Sequence, residues 1–266
     1  MLNDFSKMTV LVTGGTKGIG LAITECFIQA GATVYATYLW GDNLTELEDK
    51  FSNHPNKPIF LQANVAKSDD TEALIKTIKS QQHALDIFIS NAAFAPSFKD
   101  SYQLQQLHTS IEHNAWPLVT YLDSIKNHFG HHPKYVVATT SEGHRAMPIK
   151  NYDYVAISKA VLETLVNYQT FRSDININCI SPGIVDTEAF ELIFGQKAQQ
   201  LIHQYQPQMI VKAVEVAKVA LALCSGLMDA VTGQIIRIDK GQMYSDNAFK
   251  WLEILSNELG ESDNND

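Results

Sequence analysis

The stretch Thr13-Gly14-Gly15-Thr16-Lys17-Gly18-Ile19-Gly20 decides the fold. Just before it, Thr9 to Thr13 is a short run of β-branched and apolar residues. Just after it, Ile19, Ala22, Ile23, Cys26, Phe27 and Ala30 recur at the three- and four-residue spacing of a helix with one buried face, and Gly31 closes that helix. Glycines between a strand and a helix let the backbone turn sharply and come close to a pyrophosphate. The helix N-terminus then offers free N–H groups and a partial positive charge to the anion. Gly14, Thr16, Lys17, Gly18, Ile19 and Gly20 are therefore expected to hold the phosphates of a dinucleotide.

Outward from this turn, six further apolar runs alternate with amphipathic segments. They are Thr33 to Thr37, Ile59 to Gln62, Asp86 to Ser90, Tyr135 to Thr139, Ile175 to Ile180 and Ile235 to Ile238. Short runs rich in β-branched residues with helices between them form βαβ units, so the chain is expected to be α/β, a doubly wound, parallel, seven-stranded Rossmann sheet. No repeat or proline-rich linker divides it, which makes residues 1–259 one domain. Residues 188–210 form a long helical-looking insertion after the sixth strand, where ligands of open α/β sheets bind, and are a candidate substrate lid. A short amphipathic segment at 249–259 precedes residues 260–266, which are acidic and polar and are expected to be a disordered tail.

The chain has 266 residues, 45% of them hydrophobic, enough for a sizeable core. Its net charge of −9 disfavours nucleic-acid and anionic-membrane partners, and no run is long and apolar enough to span a bilayer. Charged residues make up only 18%, which suggests that partner subunits cover part of the surface. Cys26, Cys179 and Cys224 sit in apolar runs and read as buried, reduced thiols of a cytoplasmic protein. His128, His131 and His132 lack an acid or cysteine at ligand spacing, so no metal is expected. The sequon at Asn43 carries no meaning in such a compartment.

The GxxxGxG spacing of the turn resembles that of the short-chain dehydrogenase/reductase family, and further motifs extend the resemblance over nearly the whole chain. Asn91, Ala92 and Ala93 follow the fourth strand as the family's NAG-type turn does. Asn114 sits where its structural asparagine lies, and Pro182, Gly183 and Thr187 resemble its PGxxxT segment. Gly233 and Gln234, with Asp239, Lys240 and Gly241, resemble its TGQ and DGG stretches, Lys240 replacing a glycine. The resemblance implies that Asn64 and Val65 stand beside the adenine in place of an Asp-Val pair, and that Lys159 holds the nicotinamide ribose. It also implies a homotetramer or homodimer.

The family's YxxxK pattern is absent, since Val155 lies four residues before Lys159. Tyr154 and Tyr152 compete for the role. At about 100° per residue, Tyr154 points roughly 140° away from Lys159 on a helix, whereas Tyr152 lies within about 20° of it after two turns. Ser141, thirteen residues before Tyr154, supports the opposite choice if it is the family's serine. The YxxxxxxK spacing of Tyr152, with the flanking Gly143 to Pro148, Asn151 and Ser158 to Ala160, resembles the enoyl-acyl-carrier-protein reductases. The ordinary glycine turn and the Ser90 to Ala93 match add likeness to the NADPH-dependent form called enoyl-acyl-carrier-protein reductase III.

That resemblance implies hydride transfer from NADPH to the β-carbon of an enoyl thioester, on a small molecule or a carrier protein. Tyr152 would stabilise the enolate, and Ser141, Asn114 and Lys159 would complete the catalytic set. A nearby ammonium is expected to draw the phenol, ordinarily near pKa 10, toward neutrality. NADPH is favoured over NADH because Tyr38 occupies the place of the ribose-binding acid and Lys17 can pair with a 2′-phosphate, and Tyr38 or Trp40 could stack on the adenine. Two alternatives stay open: carbonyl reduction of a 3-oxoacyl thioester or polyketide, and a cofactor-binding protein without turnover. His144 in the same loop is a candidate for substrate contact.

Overall fold

In the computed structural model, residues 4–39, 44–96, 101–143 and 151–244 are described. The segment at 249–259, the tail at 260–266, Trp40, Asn43 and the flank from His144 to Pro148 lie outside the described residues. The strands are β1 (Thr9–Val12), β2 (Thr33–Tyr38), β3 (Ile59–Gln62), β4 (Ile87–Ser90), β5 (Tyr135–Thr139), β6 (Asn176–Pro182) and β7 (Ile235–Ile238). All pair in parallel, in the order β3-β2-β1-β4-β5-β6-β7. The strand order reverses direction between β1 and β4, and a doubly wound sheet opens a crevice at that point, beyond the carboxyl ends of its strands.

The expected strands are all present, β3, β5 and β7 with the expected bounds and the other four shifted by one or two residues at their ends. Asp86 stays outside β4 because its carboxylate accepts the Thr9 backbone N–H at 2.8 Å. Period-two alternation sends successive side chains to opposite faces, and both faces are apolar. Val10, Val12, Ile87, Ile89 and Val137 join one core with α1 (Gly18–Gln29) and α9 (Ala213–Leu223). Leu11, Tyr35, Phe88, Val136 and Cys179 join the other, under α3 (Ser68–Gln81), α5 (Trp116–Phe129) and α6 (Asp153–Arg172). Helix α1 ends at Ala30, with Gly31 beyond it at φ +95°, the left-handed stop its sequence announces.

Two further elements matter to the site: α4 (Leu104–Asn114), which packs on α6, and the pair α7 (Glu188–Phe194) and α8 (Gln196–Tyr205). A short α2 (Leu44–Lys50) completes the set. The helical-looking insertion is built of two helices, separated by Gly195 at φ +84°. Lys240, at a position where the family has glycine, keeps the left-handed conformation at φ +53°. Its ammonium is anchored to the Ile210 carbonyl at 2.8 Å and pairs with Glu215 at 3.1 Å. Cys26, Cys179 and Cys224 are buried and form no disulfide.

Candidate active site

The motifs after β1, β4, β5 and β6 all fall at the carboxyl ends of four adjacent strands. The glycine turn is closed tightly. Gly14 has φ +61° and Gly18 φ +50°, and a Cβ on Gly20 would lie 2.0 Å from the Gly14 carbonyl oxygen. Gly14 and Gly15 donate to Thr37 Oγ1 and Thr37 O at 3.1 and 2.9 Å. The first turn of α1 behaves differently: Lys17 at its N-cap supplies no side-chain cap, and the turn contains no acid. Uncapped amides at a positive helix end fit an anionic pyrophosphate. Thr16 is buried, Ile19 packs against the first core, and Lys17 is half exposed, its ammonium 3.9 Å from Glu188 at the start of α7.

Asn91 binds the turn together. Its Nδ2 donates to the Thr13 and Gly14 carbonyls at 3.1 and 3.2 Å, and its Oδ1 accepts from Thr139 Oγ1 at 3.2 Å. Ala92 donates its N–H to Thr13 Oγ1 at 3.1 Å, and its Cα would lie 3.1 Å from a Cβ on Gly14. Ala93 beside it is exposed. Asn114 does similar work deeper in the crevice. Its amide grips both backbone groups of Phe94, accepting at 2.7 Å and donating at 2.9 Å, and also donates to Ser158 Oγ at 2.9 Å and Ser110 Oγ at 3.1 Å. Asn114 thus fastens the segment after β4 to α4 and α6.

At the end of the crevice where the adenine was expected, Tyr38 closes β2 half-buried. Asn64 accepts the Ala66 N–H on Oδ1 at 3.0 Å and donates its own N–H to Asp70 at 2.8 Å, while Val65 packs on the second core. At the other end, Pro182 is buried as the last residue of β6. Gly183 admits no side chain, since a Cβ there would meet Asp239 Cβ at 2.9 Å. Thr187 caps α7 by accepting the Phe190 N–H at 3.3 Å.

The competing tyrosines separate clearly. Tyr154 is buried, its hydroxyl accepts the Gln103 N–H at 2.7 Å, and its ring meets Tyr102 edge-on at 6.1 Å, so it faces α4. Tyr152 is the N-cap of α6, and its phenol lies beside the Ser141 hydroxyl. No hydrogen bond of full geometry closes between them. Ser141 Oγ is left buried without a hydrogen-bond partner among the described residues. Ser141 thus lies within electrostatic reach of Tyr152, while the Tyr154 hydroxyl is engaged with the start of α4.

Lys159 is buried one helical turn before Glu163 and donates to the Thr139 carbonyl at 2.7 Å. Burial pushes its pKa down to about 8, against smaller upward pulls from Cys179 and Glu163. The expected drop in the Tyr152 pKa does not occur. Burial raises it above the ordinary value of 10.0, with Ser141 pulling partly back, while the ammonium is directed to Thr139. Tyr152 is consequently a neutral phenol at physiological pH, a proton or hydrogen-bond donor.

Sequence reasoning missed the groups around Ser141. Thr140 Oγ1 donates to the buried Glu163 carboxylate at 2.7 Å. Glu142 accepts from Ser181 Oγ and pairs with Arg237 at 3.0 Å. Glu163, four residues after Lys159, was within reach of a helical-face argument. Arg237, on another strand, was not. Among the described residues no cluster of His, Cys, Asp and Glu is suited to a metal; His128 instead pairs with Glu72 at 2.8 Å. No helix among them is long and apolar enough to cross a membrane.

Comparison with known proteins places the family and the fold. A family model described as enoyl-(acyl carrier protein) reductase matches residues 14–243. An NADH-dependent enoyl-[acyl-carrier-protein] reductase of Nostoc is 29% identical over 91% of this chain and 98% of its own. A 3-oxoacyl-[acyl-carrier-protein] reductase of Chlamydia trachomatis is 23% identical over 88% of this chain and 96% of its own. Among solved structures, a short-chain dehydrogenase from Burkholderia cenocepacia in complex with NADP superimposes with a TM-score of 0.78. It is 22% identical and covers 91% of this chain and 100% of its own.

Proposed function

We propose, for a chain that belongs to the short-chain dehydrogenase/reductase family of NAD(P)-dependent oxidoreductases, that it reduces the 2,3-double bond of an enoyl thioester with NADPH. The observation that carries this reading is the meeting of Ser141 with Tyr152, seven residues before Lys159, while Tyr154 is spent on α4. When bound, the nicotinamide would supply a hydride to the β-carbon. Negative charge then grows on the thioester oxygen, and the neutral Tyr152 phenol and the Ser141 hydroxyl are donors suited to it. Lys159, held on Thr139 O, places a positive charge at the floor of the site, and Asn114 and Asn91 hold the walls.

The α1 amides, Gly14, Gly18 and Gly20 would hold the pyrophosphate. Tyr38, Asn64 and Val65 would border the adenine, and Ala92, Ala93, Pro182, Gly183 and Thr187 the nicotinamide side. Lys17 would pair with the 2′-phosphate, and the absence of a carboxylate at Tyr38 supports NADPH over NADH. Helices α7 and α8 would cover a small or carrier-linked acyl chain. Trp116 on α5 and Tyr168 and Phe171 on α6 are 54, 56 and 86% exposed, which supports burial in a homodimer or homotetramer; a cytoplasmic setting is part of the same proposal.

A second reading, reduction of a 3-oxoacyl thioester, rests on the same two donors, since Ser141 and Tyr152 can equally serve a ketone oxygen. NADPH oxidation followed with crotonyl and acetoacetyl thioesters tests both readings. Turnover of the crotonyl substrate is expected, and turnover of the acetoacetyl substrate alone would overturn the enoyl reading.

A further inference from the structure

The backbone on both sides of Ser141 is held through two carboxylates, Glu163 buried and Glu142 partly buried. On one side Thr140 donates its N–H to Ile180 O at 2.8 Å and its hydroxyl to Glu163 at 2.7 Å. On the other, Glu142 reaches across the sheet to Ser181 at the end of β6 and Arg237 on β7. The Glu142 and Arg237 side chains are only 14 and 24% exposed, so their pairing is weakly screened and costly to break. Between these anchors the Ser141 hydroxyl has no hydrogen bond among the described residues. A serine so placed normally rotates to a nearby carbonyl or water. Here its backbone is fixed from both sides and it is offered to Tyr152.

We propose that Glu142 is a positioning residue: by clamping the exit of β5 onto β6 and β7 through Ser181 and Arg237, it holds the Ser141 hydroxyl against the Tyr152 phenol. The inference deepens the proposed function by naming what keeps the donor pair in register. It rests on that reading only for the purpose of the pair, not for the clamp. Glu142 touches neither hydroxyl and acts through the backbone it fixes.

The sign of one measurement separates positioning from direct electrostatics. Ser141 favours the ionised phenol, so losing its contact raises the Tyr152 pKa. Removing the Glu142 charge, and leaving Arg237 unpaired, would by charge alone lower it. A fluorinated tyrosine at position 152, whose phenol titrates nearer neutrality, is followed by fluorine NMR in the full chain. Ser141→Ala and Glu142→Ala should each raise its pKa by about half a pH unit, the equivalent of a contact weaker than one full hydrogen bond. In the Ser141→Ala background, Glu142→Ala should produce no further rise.

Ser181→Ala removes one arm of the clamp without changing charge, and it should raise the pKa in the same direction; this holds the test if Glu142→Ala does not fold. A fall with Glu142→Ala, an unmoved value in both variants, or a rise that persists without Ser141 would each overturn the proposal. Because the readout needs no substrate, it can succeed where the enoyl assay fails, and the reverse.

Discussion

Replacing the two tyrosines separately puts the assignment of the site at most risk. Tyr154→Phe deletes a buried hydroxyl that accepts the Gln103 N–H at 2.7 Å, at the start of α4. The orphaned amide is near the surface and water can reach it, so the cost lies at the low end of the range for a lost partner, about 1 kcal/mol. For a domain of this size that lowers the Tm by about 2–4 °C. Turnover should stay within a few-fold of wild type. Tyr152→Phe deletes a hydroxyl that supports no backbone group among the described residues, and stability should change by less than about 0.5 kcal/mol. Loss of a proton or hydrogen-bond donor in the transition state should lower kcat by about 10²–10⁴-fold, or roughly 3–5 kcal/mol of barrier. Calorimetry and NADPH-oxidation kinetics on the same preparations read both quantities. If Tyr152→Phe kept its turnover while Tyr154→Phe lost it with an unchanged Tm, the assignment of Tyr152 would be refuted.

Three other substitutions probe the cofactor turn and the buried cation. Gly20→Ala forces a Cβ to within 2.0 Å of Gly14 O, and the resulting shift should cost roughly 3 kcal/mol and abolish detectable dinucleotide binding by calorimetric titration. Lys17→Ala should weaken NADPH about tenfold while leaving NADH unchanged, as expected for one half-exposed charge-assisted contact; fluorescence titration of both cofactors measures it. Lys159→Met should abolish turnover yet leave the protein without cofactor more stable at pH 7, because a buried ammonium is removed. The pKa of Lys159 is about 8 when folded against 10.5 unfolded. The unfolded chain therefore binds more protons between those values, and wild-type stability should rise through that window. Denaturant unfolding at pH 8 and pH 9 should show the Met variant's advantage shrinking by up to about 1.4 kcal/mol.

Local periodicity carried most of the fold. Strands buried on both faces leave continuous apolar runs, and the glycine turn is dictated by backbone space that no side chain can enter, so both were legible in the residues alone. The separation of the two tyrosines was legible from helical angle, which sends Tyr154 toward α4 while Tyr152 stands at the cap of α6. What was not legible depends on long-range encounters. Glu142 and Arg237 come from distant stretches of the chain, and nothing in either neighbourhood announces the other. The phenol's pKa was misjudged because spacing places Lys159 on the correct face but does not show that its ammonium turns to the Thr139 carbonyl. The break at Gly195 was present in the sequence, and helical periodicity on both sides masked it.

Competition between substrates addresses the central claim most directly. Wild-type protein is given equal amounts of an enoyl and a 3-oxoacyl thioester, together with NADPH carrying deuterium at its transferring position, and the products are resolved by mass spectrometry. The account predicts deuterium in the saturated acyl thioester. Deuterium confined to the 3-hydroxyacyl thioester, with the enoyl substrate recovered intact, would contradict it.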